Sequence, residues 1–143
     1  MNIVLGGNYS MVNKASQDKG RTRNWTFVIY PESVLESWRD VLDNEHIQWV
    51  ESPLHDKDTN PDGEIKKAHK HILVMYDGVK SYKQILELTE KINATIPQKC
   101  GSAKGLVRYM LHMDNPEKYQ YRREDMIAHG GADIGEMLKP TSA

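Results

Sequence analysis

Apolar and polar positions along the chain follow two periods, and the switches between them mark its elements. Asn24-Trp25-Thr26-Phe27-Val28-Ile29-Tyr30 is aromatic and β-branched and predicts a strand. Ser33-Val34-Leu35-Glu36 has the spacing of a capping box. Val34, Leu35, Trp38, Val41 and Leu42 then recur at helical spacing as far as Asn44. Ile47-Gln48-Trp49-Val50 predicts a second strand, which runs into the loop Ser52-Pro53-Leu54-His55-Asp56-Lys57-Asp58. Thr59-Asn60-Pro61-Asp62-Gly63 is a turn signal. The run from Ala68 to Tyr76 predicts a third strand, joined to the second as a long-looped antiparallel hairpin. With a side-chain period of two, Ile72, Val74 and Tyr76 share one face, and His69, His71, Leu73 and Met75 share the other.

Ser81-Tyr82-Lys83-Gln84 is a second capping box, opening a helix with Ile85, Leu88 and Ile92 on one side. Pro97 to Gly101 breaks the chain. A third helix is expected from Ser102 to Met113, stopped by Asn115-Pro116, with a further short helix and a linker beyond. The order β-α-β-β-α-α predicts an α+β fold: a two-layer sandwich with helices on one face of an antiparallel sheet and the histidine face left open. Residues 1–23 read as a flexible basic arm, 24–132 as one domain, and 133–143 as a linker or the start of a further segment.

At 143 residues the length suits a single domain with a core of its own. No apolar stretch approaches the ~18 residues of a membrane span, and the start is too short for a signal peptide. The one cysteine, Cys100, excludes an intramolecular disulfide and fits a reducing cytosol, so a cytoplasmic protein is expected. A net charge of −1 argues against a generic nucleic-acid coat, yet the charge is unevenly placed. From Pro31 to Asp58 eight acids face two bases, whereas from Pro97 to Arg123 six bases face two acids. A focused basic surface opposite an acidic one can still bind phosphates.

His69 and His71 sit two residues apart on one strand face, with Cα atoms roughly 6.5–7 Å apart, a separation at which two imidazoles can share a metal ion. The 52–58 loop adds His55 and a carboxylate, for which geometry leaves Asp56 and Asp58 equally open. Three imidazoles and a carboxylate suit Zn²⁺, Mn²⁺, Co²⁺ or Mg²⁺. Arg108-Tyr109-Met110-Leu111-His112 brings a phenol among Lys104, Arg108 and His112, cations that favour a phenolate and can bind a phosphate. A tyrosine on the apolar side of a helix is more often core, and Tyr82, Tyr119 and Tyr121 compete for the same role. For DNA, Arg21, Arg23, Lys104 and Arg108 are the leading phosphate contacts, and Trp49 is either a stacking platform or core.

In order and spacing, Ser52-Pro-Leu-His-Asp-Lys-Asp58, Lys67-Ala-His-Lys-His-Ile72 and Arg108-Tyr-Met-Leu-His112 resemble the three motifs of the HUH endonucleases. More narrowly, they are similar to RepB-like replication initiators of Gram-positive rolling-circle plasmids. The similarity runs from the Tyr30-Pro-Glu-Ser33 corner to the Gly130-Gly-Ala-Asp133 stretch. The resemblance implies that His55, Asp58, His69 and His71 hold a divalent cation, Mn²⁺ or Mg²⁺. It also implies that Tyr109 attacks a scissile phosphate, forming a 5′-phosphotyrosine and freeing a 3′-OH. The implied partner is plasmid origin DNA, both its double-stranded repeats and its single-stranded nick site. Residues 24–132 would be the origin-binding and nicking domain, and an oligomerisation segment would follow in a full-length, homo-oligomeric initiator. The alternatives are a mobilisation relaxase or transposase of the same superfamily, a non-catalytic origin-binding module, and a zinc hydrolase in which Tyr109 is core.

Overall fold

The computed structural model describes residues 20–140. Among these, β1 (Arg21–Ile29), α1 (Trp38–Asp43), β2 (Gln48–Glu51), β3 (Lys70–Ser81) and α2 (Tyr82–Ile92) come first. They are followed by β4 (Gln98–Lys99), α3 (Ala103–Met110), a 3₁₀ turn (Arg123–Asp125), β5 (Ile127–His129) and α4 (Ile134–Met137). The strands form one antiparallel sheet in the order β4-β1-β3-β2-β5, so the histidine strand β3 lies at its centre.

Strand alternation sorts the core as the sequence predicts. Trp25, Phe27 and Ile29 of β1, Trp49 of β2, and Ile72, Val74 and Tyr76 of β3 pack against α1 and α2 in one buried cluster. The capping box at Ser81 forms in full: its hydroxyl accepts from the Gln84 amide, and the Gln84 side chain accepts from the Ser81 amide. Ile85, Leu88 and Ile92 of that helix are buried. Trp49 is completely buried and so belongs to the core rather than to a DNA surface.

The α+β class and the antiparallel sheet are as expected, but the layering differs. The third helix does not join the other two. Val107 and Met110 of α3 pack with Leu111, Met126 and Leu138 on the histidine face, over Val50 and Leu73. Those two strand residues are apolar and need cover, and α3 carries the apolar stripe that supplies it. The first capping box also fails. Ser33 and Val34 donate to the Tyr30 carbonyl in a turn, and the helix begins only at Trp38. Arg21, Thr22 and Arg23, read from the sequence as part of the arm, lie in β1, whereas the remainder of the arm (1–19) falls outside the described residues. Asp133 caps α4, and Leu138 is buried, so this stretch packs on the domain.

Candidate metal and tyrosine site

Beyond β2 the chain keeps pairing with the run-in to β3. The Ser52 amide donates to the His71 carbonyl at 2.9 Å, and His55 and His69 exchange backbone hydrogen bonds at 2.8 and 3.2 Å. This irregular ladder sets the third histidine beside the pair. The His55 ring lies 5.3 Å from that of His69 and 4.7 Å from that of His71, and the paired rings are 5.2 Å apart. One nitrogen from each of the three lies within 4.8 Å of the others.

The proton positions follow from the partners. His69 Nδ1 is 2.7 Å from the Lys67 carbonyl, which only accepts, so Nδ1 carries the proton and Nε2 offers a lone pair. His55 Nε2 is 2.7 Å from the Met110 carbonyl and is protonated for the same reason. Nδ1 of the neutral His55 ring then turns a lone pair toward Asp58 Oδ2 at 2.9 Å. Two acceptors face each other across that gap, and a positive charge is what the arrangement calls for. His69 Nε2 lies 3.5 Å from the same carboxylate oxygen.

Burial lowers the His55 pKa, outweighing the Met110 carbonyl and the Asp58 carboxylate, which would favour a charged ring. Burial, followed by the nearby His55 and His69, holds the His71 pKa well below the ordinary imidazole value. Burial opposes a charge on Asp58, but the hydrogen bond from Tyr121 leads the influences that outweigh it and keep its pKa below the usual carboxylate range. Neutral His55 and His71 beside an ionised Asp58 are in the protonation states that metal ligands require. Two groups of donor atoms, each within 4.8 Å, meet at His55: one with His69 and His71, the other with Asp58 and His112, and each suits a divalent cation.

Tyr109 stands at the rim. It is 39% exposed, which removes the core reading, and its ring meets His71 edge-on at 5.7 Å and His112 at 5.4 Å. Just past α3, His112 takes a left-handed backbone (φ 61°) and turns the chain back over the site. Its ring is buried, its Nδ1 donates to the Tyr119 carbonyl at 2.8 Å, and it lies 5.0 Å from the His55 ring. Tyr121 stacks on His55 at 4.1 Å, donates to Asp58 Oδ1 at 2.6 Å and accepts from the Lys57 amide at 3.0 Å. Burial and the Asp58 carboxylate push its pKa up, so its phenol stays protonated.

Residues 17–135 match the family model described as plasmid replication protein, origin binding domain. The chain belongs to that family. A replication protein from Staphylococcus aureus is 59% identical over 92% of this chain and 67% of its own length. Replication protein RepB from Lactiplantibacillus plantarum is 50% identical over 87% of this chain and 56% of its own length. A second protein named RepB, from Streptococcus agalactiae, is 30% identical over 77% of this chain and 51% of its own length. The resemblance to RepB-like initiators seen in the motifs is thereby borne out.

In this origin-binding domain the structure brings together His55, Asp58, His69, His71 and Tyr109. It does not bring the leading phosphate-contact candidates to them. Arg21 pairs with Ser81, at the far end of β1 from the His71–Val28 pair, and the Arg23 guanidinium donates to the Asp77 carbonyl. Lys104 is exposed, about 140° around α3 from Tyr109 by helical geometry. Arg108 is held by both oxygens of Asp114, at 2.9 and 2.5 Å. Tyr121 is the residue that sequence reasoning missed as a support for Asp58. Its only signal is the tyrosine-rich stretch 119–121, and 63 positions separate the two partners.

Proposed function

We propose that this domain nicks and rejoins one strand of plasmid origin DNA and so initiates rolling-circle replication. His55, Asp58, His69 and His71 are taken to hold one divalent cation, Mn²⁺ or Mg²⁺, and Tyr109 to be the nucleophile. The observation that carries the reading is an exposed phenol set edge-on to His71, beside a buried cluster in which His55 and Asp58 turn lone pairs toward one another. A bound cation supplies Lewis-acid polarisation of the phosphate oxygens. The Tyr109 phenol gives up its proton and its oxygen bonds to phosphorus. The bond from phosphorus to the 3′ oxygen breaks, and that oxygen takes up a proton to become a primer 3′-OH. The 5′-phosphotyrosine keeps the energy of the broken diester, so the reverse attack reseals the strand without ATP. Lys67 O and Tyr121 act as positioning groups, fixing the His69 tautomer and the Asp58 carboxylate.

The test is incubation with single-stranded oligonucleotides tiled along the replicon that encodes the chain, in Mn²⁺, followed by a denaturing gel. A covalent protein–DNA adduct is expected. Binding without an adduct would mean a non-catalytic origin-binding module, and cleavage without an adduct would mean a metal hydrolase.

A further inference from the structure

Beside Tyr109 opens a cleft of about 410 Å³ that the proposed chemistry leaves unexplained. Its walls are the loop bearing Lys57, Asp58 and Lys66, the loop bearing Lys118 and Tyr119, and Tyr109 itself. We infer that this cleft is the single-strand subsite of the domain, with Tyr119 stacking the nucleobase next to the scissile phosphate and Lys57 and Lys118 holding the phosphates on either side. The inference rests on the nicking function proposed above.

Three observations carry it. Tyr119 is 49% exposed and touches the rest of the site through Tyr121, whose ring it meets edge-on at 4.7 Å. An exposed aromatic beside a metal and tyrosine cluster is a platform for a base, and only an unpaired base has a free face to offer it. The cations are already at the rings: Lys118 Nζ lies 5.4 Å from the Tyr109 centroid, and Lys57 Nζ lies 5.8 Å from that of Tyr119. The opposing charges are Asp58, which the cation would neutralise, Glu117 on the wall, and Asp56, 3.4 Å from Lys57 Nζ. Both Asp56 and Lys57 are exposed, so a phosphate can compete for the lysine.

The third observation is that the loop is built in advance. The Tyr119 carbonyl accepts from His112, and the Gln120 side-chain amide lies 2.9, 3.1 and 3.0 Å from the carbonyls of His112, Asn115 and Lys118. Lys118 and Tyr119 are thus pinned to the turn that follows Tyr109, and little ordering remains to be done when DNA arrives.

The test uses the full chain with Mn²⁺ and the same tiled oligonucleotides, with 2-aminopurine placed at successive positions of the tightest binder. Quenching is expected at one position, next to the cleavage point, retained in Tyr119→Phe and lost in Tyr119→Leu. Tyr119→Leu should weaken binding about tenfold, the scale of one lost base stack. Lys118→Ala should flatten the slope of log affinity against log salt by about 0.7. Lys83→Ala, on the exposed side of α2, is the control. If the wild type forms an adduct but Tyr119→Leu neither weakens binding nor moves the 2-aminopurine signal, the subsite is wrong and the nicking function stands. The same follows if a duplex binds with the same dependence on Tyr119. If no oligonucleotide binds the wild type, both fall together.

Discussion

Tyr109 and Tyr121 share one constellation, yet one phenol is tied by hydrogen bonds and the other is exposed. Tyr121 donates to Asp58 and accepts from the Lys57 amide, and its raised pKa keeps the proton on oxygen. Tyr109 is open to the cleft and, among the described residues, meets its neighbours by ring edges and by Lys118. Tyr109→Phe is therefore expected to abolish the covalent adduct while leaving DNA binding nearly intact. Tyr121→Phe should keep an adduct but weaken Mn²⁺ binding by roughly 10–100-fold, the usual effect of removing a group that orients a metal ligand. A denaturing gel and calorimetric titration check the pair. An adduct that survives Tyr109→Phe and disappears in Tyr121→Phe would exchange the two roles. The histidine face was legible in the sequence because strand alternation is a local rule. It also turned Lys70 away from His69 and His71, and Lys70 Nζ indeed lies 2.7 Å from Glu51 on the opposite face. The Tyr121–Asp58 contact was not legible, since no local pattern links two loops 63 residues apart.

Four elements meet at Glu51, which is completely buried. Arg39 of α1 binds it through two nitrogens at 2.7 and 2.9 Å, Lys70 of β3 reaches it at 2.7 Å, and His129 of β5 reaches it at 2.7 Å while stacking on Trp49. Burial alone would raise the Glu51 pKa, but the hydrogen bonds from Arg39, Lys70 and His129 outweigh it and bring it down to about 2. A carboxylate held below its unfolded value stabilises the fold above that value and loses the contribution as pH falls through the folded pKa. The wild type should thus lose on the order of 3 kcal/mol from this group between about pH 5 and pH 2. Glu51→Gln should be destabilised by about 3–5 kcal/mol near neutrality, with the cations left unpaired, and should lack that acid-dependent part. Urea unfolding at a series of pH values measures both, and parallel pH profiles for the two proteins would remove Glu51 from the acid limb. Gly130 guards the same junction. A Cβ there would lie 2.0 Å from the Ile47 carbonyl, at a φ of +65°, so Gly130→Ala should part β5 from β2 and lower the unfolding midpoint in the same assay. Local chemistry explains which elements could be foreseen. The Ser81 capping box announced α2, whereas β4 and β5, of two and three residues, have too few positions to show a period. The Ser33 box was overruled by tertiary contacts, among them the Leu35 amide donating to the Ile92 carbonyl.

At the scale of the whole molecule, the sheet is covered on both faces, and the candidate site lies where the second cover begins. The sequence makes the sheet, its antiparallel hairpin and the side of the histidines visible, since each depends on neighbours along the chain. The placement of α3 across that face depends on Val50 and Leu73 needing cover, a demand that exists only once the strands have paired. The site consequently ties together parts distant in sequence: His55 and Asp58 from one loop, His71 from the central strand and His69 from its run-in, and the end of α3 through the bond from His55 to the Met110 carbonyl. A cation held by the first two groups binds the folded chain and has no preformed site in the unfolded one, so its binding free energy adds to folding stability. At a hundredfold excess over its dissociation constant, Mn²⁺ should add about 2.7 kcal/mol. For a domain of this size, that corresponds to a rise in Tm of roughly 5–10 °C. His69→Ala and His71→Ala should each lose most of the rise, because each removes one of four donors. Lys70→Ala should lower Tm through Glu51 yet keep the Mn²⁺-dependent increment. Thermal unfolding followed by circular dichroism, with and without Mn²⁺, reads all four proteins without any DNA present. An equal increment in the wild type and both histidine variants would place the bound Mn²⁺ somewhere other than this cluster.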